Sequence, residues 1–467
     1  MEEFDLVVIG GGPAGEKAAA KASYFGKKVA LVEKAREPGG AGVHTGTLPS
    51  KTLKETALFL SGRNDRGIFG IDRNLKREVS IQDFYFRKNF VTNSEVNAIN
   101  ANLDVHKIKV FHGTADLLNQ NEVKIVSSND TIIKGEYILI ATGSVPFHPE
   151  NIPFENNKVH DSDSILSLKR FPKSLCVLGG GVIGCEYVTI FGTMGIPVTL
   201  IDTRDEILPF LDSEISRALV EEMKREGITV LLNEGVKKVE KISDHDELKI
   251  ELNSGEIIYS DMFLFAAGRN GNVSGLGLEK LGIQLTKRGT IEVNEKYQTI
   301  VSNIFAVGDV IGFPALASTS MDQGRAAVTH MFNTEGIDKL THLFPYGIYT
   351  VPEVSMVGLS SEEAIKKGID IAIGKARYID LPRGKILGQD SGFLKIVANK
   401  KTYEVLGIHI IGYLATELIH YGMAVLENKK NLNDLISVVF NYPTLHDLYK
   451  YAAFDCLGDA LGHKVRK

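Results

Sequence analysis

Cysteine is scarce in this chain: three among 467 residues, Cys176, Cys185 and Cys456. An odd, sparse set with no CxxC excludes a disulfide framework and suits a reducing cytoplasm, with all three as buried free thiols. Apolar runs are short, and none reaches the roughly 18 residues that suggest a membrane span. The N-terminus opens on Glu2 and Glu3 and lacks the basic start and longer apolar stretch of a secretory signal. There is no large excess of one charge either. A net charge of -5 gives no reason to expect nucleic acid or an acidic membrane as partner. Hydrophobic residues at 43% and charged residues at 24% are ordinary for a globular protein, and the length allows two or three domains.

Glycine is present where it carries meaning. Gly10-Gly11-Gly12-Pro13-Ala14-Gly15 follows an apolar run, Phe4 to Ile9, and opens a stretch of helical pattern. A second apolar run, Lys28 to Val32, follows and ends at Glu33. In such a β-α-β unit the first glycine allows the turn and the second lets backbone approach a pyrophosphate. The third permits close helix–strand packing, and the terminal carboxylate can accept from a ribose hydroxyl. The pattern recurs. Leu175 to Leu178 leads into Gly179-Gly180-Gly181-Val182-Ile183-Gly184, and Pro197 to Ile201 ends at Asp202. One fingerprint is a weak signal. Two, each between strand and helix with an acid in place, predict two dinucleotide sites.

The segment from about 70 to 135 alternates charged and apolar positions and reads as a helix through roughly 80–100 followed by short strands. Ile138 to Gly143 and Phe263 to Arg269 look like strands returning to each sheet. Ile304 to Asp309 is another strand, ending in Gly-Asp. From about 345 the pattern changes to strands and helices without a glycine fingerprint. The expected fold class is α/β, with two Rossmann-like dinucleotide-binding domains and a C-terminal α+β domain.

The stretch Gly39 to Lys51 resembles the active-site segment of the FAD-dependent pyridine nucleotide-disulfide oxidoreductases, and the motifs above follow that family's order along nearly the whole chain. The resemblance implies an FAD domain in two parts (1–145 and 271–342), an NAD(P) domain between them (146–270) and a dimerisation domain (343–467) that makes a homodimer. It implies FAD at Gly10, Gly12, Pro13, Ala14, Gly15, Glu33, Thr47, Lys51, Thr142 and Gly143. Ala115 stands beside the adenine, Asp309 on the ribityl chain and Ala317 on the flavin region. The nicotinamide nucleotide falls to Gly179, Gly181, Val182, Ile183, Gly184, Glu186 and Asp202, with Val236 and Gly268 completing the set. Lys51 is implied at the N5 edge of the flavin, paired with Glu186. An ammonium there stabilises the charge that arriving hydride leaves behind.

The chain departs from that family where sulfur should be. Gly42 and Thr47 stand at the positions of its two redox cysteines. Tyr442 replaces the base histidine in Asn441 to Thr444, and Asp447 replaces the glutamate that orients it. Thiols and base are missing together. The segment around His44, Gly46, Thr47 and Pro49-Ser50-Lys51 is similar to the soluble pyridine nucleotide transhydrogenases, as is Asn-Tyr-Pro-Thr. That similarity implies hydride exchange between nicotinamide nucleotides through flavin alone. A quinone or diaphorase-type reductase and a redox-silent FAD/NADH-binding protein are the alternatives. His44 reads as a catalytic group or as a loop residue, and Tyr442 as a hydrogen-bond donor from the second subunit or as aromatic filler. Asp202 favours NADH, since a 2′-phosphate ~4 Å from a carboxylate costs about 4 kcal/mol at an effective dielectric of about 20. Arg204 could offset that by gripping the phosphate.

Overall fold

Each fingerprint grows from a strand buried on both faces. The computed structural model describes residues 1–62, 79–242, 246–341 and 343–463; residues 70–78 of the charged segment lie outside these. In the strand Glu2–Ile9, Leu6, Val7 and Val8 are fully buried. That is why the sequence shows a continuous apolar run here and not alternation: helices cover both sides of a parallel sheet. The strand pairs in parallel with Val29–Glu33 on one side and Thr131–Ile140 on the other. Lys109–His112 and Ile304–Ala306 extend the parallel part outward. An antiparallel meander of Thr114–Leu117, Glu122–Val126 and Thr131–Ile140 completes the seven-stranded sheet.

The second sheet repeats this plan with five parallel strands, in the order Thr229–Leu232, Val198–Asp202, Leu175–Leu178, Met262–Phe265 and Val159–His160. The chain enters and leaves this unit through one antiparallel ribbon, Ser144–Pro146 against Arg269–Gly271. Arg269 fastens the ribbon, donating from Nε to Ser144 Oγ at 2.9 Å and from Nη2 to the Ser144 carbonyl at 2.8 Å.

The helix expected over roughly 80–100 runs Ile81–Val105. A Ser80–Asp83 capping box starts it, and buried Leu103 carries its last turn onto the first sheet's core. The C-terminal region is a five-stranded antiparallel sheet, ordered Tyr346–Ile348, Val354–Gly358, Val405–Ile411, Phe393–Asn399 and Ile371–Arg377. The helices Ala415–Glu427 and Asp447–Leu461 pack on it. Among the described residues, no helix is long and apolar enough to cross a membrane.

Asp212, at the head of the helix Ser213–Arg225, docks the second unit on this sheet. Its Oδ1 accepts from Lys395 Nζ at 2.7 Å, and its Oδ2 accepts from Ser361 N–H at 3.1 Å and Oγ at 2.8 Å. Burial pushes the Asp212 carboxyl up, but Lys395, with help from His409 and Ser361, outweighs burial and holds it at about 2. A carboxyl depressed from 3.8 contributes stability above about pH 4 and loses it as pH falls toward 2. Denaturation midpoints measured across that window should lose about 2 kcal/mol from this group. Asp212→Asn should flatten that part of the acid profile, and an unchanged profile would remove the assignment.

Candidate functional site

The two glycine loops fold alike. Gly10 and Gly179 have φ of +103° and +116°, and a Cβ on either would lie 2.5 Å and 2.6 Å from the carbonyls of Ala141 and Ala266. A Cβ on Gly15 or Gly184 would sit 1.9 Å and 1.8 Å from the carbonyls of Gly10 and Gly179. Pro13 and Val182 begin the two helices, Pro13–Tyr24 and Val182–Thr193, so Ala14 and Ile183 lie in the first turns. Among the described residues the middle glycines face open space: nothing lies within 4 Å of a Cβ on Gly181, and only Gly40 Cα, at 3.7 Å, on Gly12. Each terminal acid holds its loop through the backbone. Glu33 Oε2 accepts from Gly11 N–H at 2.7 Å, and Asp202 Oδ2 accepts from Gly180 N–H.

The loops differ at their acids. Glu33 Oε1 takes the Ala35 N–H at 2.8 Å. Asp202 Oδ1 takes the Arg204 N–H in the same way at 2.9 Å, and the carboxylate is further gripped by the Arg204 guanidinium, whose Nε lies 2.8 Å from Oδ1 and Nη2 2.6 Å from Oδ2. Burial pushes the Asp202 carboxyl up, and the hydrogen bonds from Arg204 and Gly180 more than reverse that, holding it below its usual range. The guanidinium that could grip a phosphate is thus paired with the carboxylate in this structure.

Around the first loop, Thr142 Oγ1 is buried without a hydrogen-bond partner among the described residues, and Gly143 has φ +72° with no atom within 4 Å of a Cβ. Asp309 Oδ2 accepts from Ser144 Oγ at 3.0 Å, and Ala317 opens the helix Ala317–Phe332. Ala115 is buried on the strand Thr114–Leu117, after Gly113 donates to the Glu33 carbonyl at 3.0 Å. A partnerless buried hydroxyl, an open glycine face and a helix N-terminus form a set that fits a dinucleotide. In the second unit Val236 begins the strand Val236–Lys241, and Gly268, at φ +149°, precedes the ribbon.

Lys51 and Glu186 meet between the two units. Lys51 lies on the helix Thr47–Ser61, which Thr47 opens, and its Nζ is 2.7 Å and 2.8 Å from the two Glu186 oxygens. Glu186 is 3% exposed and also accepts from Ser50 Oγ at 3.0 Å and Tyr349 N–H at 3.1 Å. A carboxylate with four hydrogen bonds from three groups is satisfied without water. Lys54, one turn beyond Lys51, reaches buried Glu353 of the C-terminal region. Burial would pull the Lys54 ammonium down, but Glu353 prevails and raises it.

His44 and Tyr442 stand apart from this network. The His44 Nε2, at the end of the helix Gly40–His44, lies 2.9 Å from the Pro38 carbonyl just before that helix. Tyr442 is 68% exposed on the single chain. Sequence reasoning missed Ser50, Lys54, Tyr349 and Glu353. The signal for Glu353 was legible, since a lone carboxylate inside Val351-Pro352-Glu353-Val354 must find a cation if the run is buried.

The glycine loops, the acids and the ion pair between them define a two-nucleotide flavoenzyme, and the chain belongs to the pyridine nucleotide-disulphide oxidoreductases. Residues 4–324 match that family and residues 344–453 match its dimerisation domain. It is an FAD-dependent pyridine nucleotide oxidoreductase. The chain is 40% identical over 460 residues to the soluble pyridine nucleotide transhydrogenase of Mycobacterium tuberculosis (strain H37Ra), covering 98% of each. It is also 40% identical over 459 residues to the protein of that name from Pseudomonas putida (strain W619), covering 97% of this chain and 98% of the other. Among solved structures, the Cu(II) complex of the HOCl-induced flavoprotein disulfide reductase RclA from Escherichia coli matches with a TM-score of 0.88. The identity there is 26%, over 97% of this chain and 99% of that one. LpdA from Mycobacterium tuberculosis, at 24% identity, matches in fold with a TM-score of 0.88 over 97% of this chain and 99% of that one.

Proposed function

We propose that this protein is a homodimeric, cytoplasmic transhydrogenase that moves hydride between nicotinamide nucleotides without a redox disulfide. The observation that carries the reading is the Lys51–Glu186 pair, present where no thiol accompanies it. Positions 42 and 47 hold glycine and threonine. A Cβ at Gly42 would lie 2.7 Å from Pro13 Cγ, so the helix Gly40–His44 sits closer to the first fingerprint than a cysteine allows. The three cysteines are buried and none forms a disulfide, and burial pushes the Cys176 thiol up to about 12. A thiolate relay has no ready nucleophile here.

FAD, when bound, supplies the hydride acceptor and donor. Gly12, Thr142, Asp309 and Ala317 would hold it, with Gly10, Pro13, Ala14, Gly15, Glu33, Ala115 and Gly143 shaping its cradle. Gly179, Gly181, Gly184, Asp202, Val236 and Gly268 would hold the nicotinamide nucleotide. Lys51 places a fixed positive charge at the flavin side, and Glu186 keeps that charge in position. Asp202 favours NADH, and Arg204, already bound to that carboxylate, lessens the penalty against NADPH. Both nucleotides then have access, as the exchange requires. Anaerobic stopped-flow titration tests the reading. NADH should bleach the bound flavin without a thiolate–flavin charge-transfer band, and NADP or thio-NAD should restore its colour. Restoration by menadione or ferricyanide alone would make the enzyme a reductase, and a charge-transfer band would defeat the sulfur-free route.

A further inference from the structure

Tyr349 belongs to none of the sequence motifs, yet it closes a circuit of contacts around Lys51. It lies in the loop between Tyr346–Ile348 and Val354–Gly358 of the C-terminal sheet and is held from two sides. Its N–H donates to Glu186 Oε1 at 3.1 Å. Its ring faces the Lys51 ammonium, 4.9 Å from Nζ to the centroid. Glu353, four residues on in the same loop, ties that loop to Thr416 of the helix Ala415–Glu427. Thr416 is fastened to Glu353 Oε2 through N–H at 3.1 Å and Oγ1 at 2.7 Å. Glu353 Oε1 takes Lys54, which returns the circuit to the helix that bears Lys51. The same loop is anchored to the second unit by Val351 N–H on Thr189 Oγ1 at 3.1 Å.

Every anchor is dry. Glu186, Lys54, Thr416 and Glu353 are between 3% and 7% exposed, so none leaves its partner without a desolvation penalty. Lys51 is the freer member, with a side chain 23% exposed and a flexible four-carbon stem. A carboxylate fixes how far the ammonium can go but leaves it room to swing. A ring face on a second side removes that freedom, and a partly desolvated cation–π contact is strong enough to do so.

We propose that Tyr349, on a loop that Glu353 fastens to Thr416 and Lys54, is a positioning residue for Lys51, so that the C-terminal domain helps set the charge presented to the flavin. This rests on the flavin-side role of Lys51. The test is the midpoint potential of bound flavin, from dye equilibria, alongside the rate of anaerobic bleaching by NADH. Tyr349→Leu should lower the stability of reduced relative to oxidised flavin about tenfold, about 30 mV for two electrons. It should slow bleaching by a similar factor and leave KM for NADH within about twofold. Tyr349→Phe keeps the ring and should stay within about threefold of wild type. Glu353→Gln, which loosens the Tyr349 loop from Thr416 and Lys54, should lower the potential in the same direction, and it decides the matter if Tyr349→Leu does not fold. Wild-type potentials in both Tyr349→Leu and Glu353→Gln, or in Glu353→Gln alone where the other is insoluble, would overturn the proposal and leave the transhydrogenase reading intact. A wild-type flavin that NADH never reduces would remove both.

Discussion

Lys51→Met should slow reduction of the bound flavin by NADH about 100- to 1000-fold, with NADH affinity within about threefold of wild type. The argument is electrostatic. Among the described residues, Lys51 provides the one cation on the 3%-exposed Glu186 carboxylate, and its removal has two effects. The positive charge that favours the electron-rich flavin is gone. In addition, Glu186 remains buried with only Ser50 and the Tyr349 N–H as donors. Breaking one side of a buried pair costs about 3–5 kcal/mol, because the other charge stays desolvated. Glu186→Gln should be milder, since Lys51 keeps its charge and gains access to water. Stopped-flow bleaching at saturating NADH measures both variants. Lys51→Met reducing its flavin at the wild-type rate would show that the ion pair is only a strut between domains.

The second large effect separates the two nucleotide sites. Gly184→Ala should give a yellow protein whose flavin NADH no longer reduces efficiently, whereas Gly15→Ala should give a colourless one. Each alanine would press a methyl into the carbonyl of its loop's first glycine, at 1.8 Å and 1.9 Å, so helix and loop must part. Forcing such a contact costs about 1–3 kcal/mol, felt mainly where the loop must meet a pyrophosphate. For Gly184→Ala this corresponds to a loss of roughly 10- to 100-fold in NADH affinity. FAD content by absorbance and NADH affinity by titration give the two readouts. NADH binding at wild-type strength in Gly184→Ala would mean that Gly179–Gly184 is an ordinary strand–helix turn.

The fold was largely legible because its signals were local. Apolar runs ending in glycine marked Glu2–Ile9 and Leu175–Leu178, and both lie at the heart of parallel sheets. The helix Ile81–Val105 outran its expected end near 100 because no Gly or Pro interrupts the chain there, and Leu103 still had a core to enter. The meeting of Lys51 with Glu186 was expected from family resemblance alone; no local pattern relates residues so far apart. Contacts that cross domains left fainter traces. Tyr349 reaches Lys51 only because a loop of the C-terminal sheet folds back, and neither periodicity nor spacing encodes that return. Arg204 was read only as a possible grip on a phosphate, and its pairing with Asp202 two residues away was overlooked.

The ribbon of Ser144–Pro146 and Arg269–Gly271 bears on how this molecule could be taken apart. Both severed ends of the inserted module lie next to each other, already in register. A short tight turn could bridge them and leave the outer module's seven-stranded sheet uncut. The middle of the chain is thus a cassette in its strand pairing alone: its removal leaves each remaining strand its hydrogen-bonded neighbours, but takes Asp212 from Lys395 and apolar cover from Phe84 and Ile348.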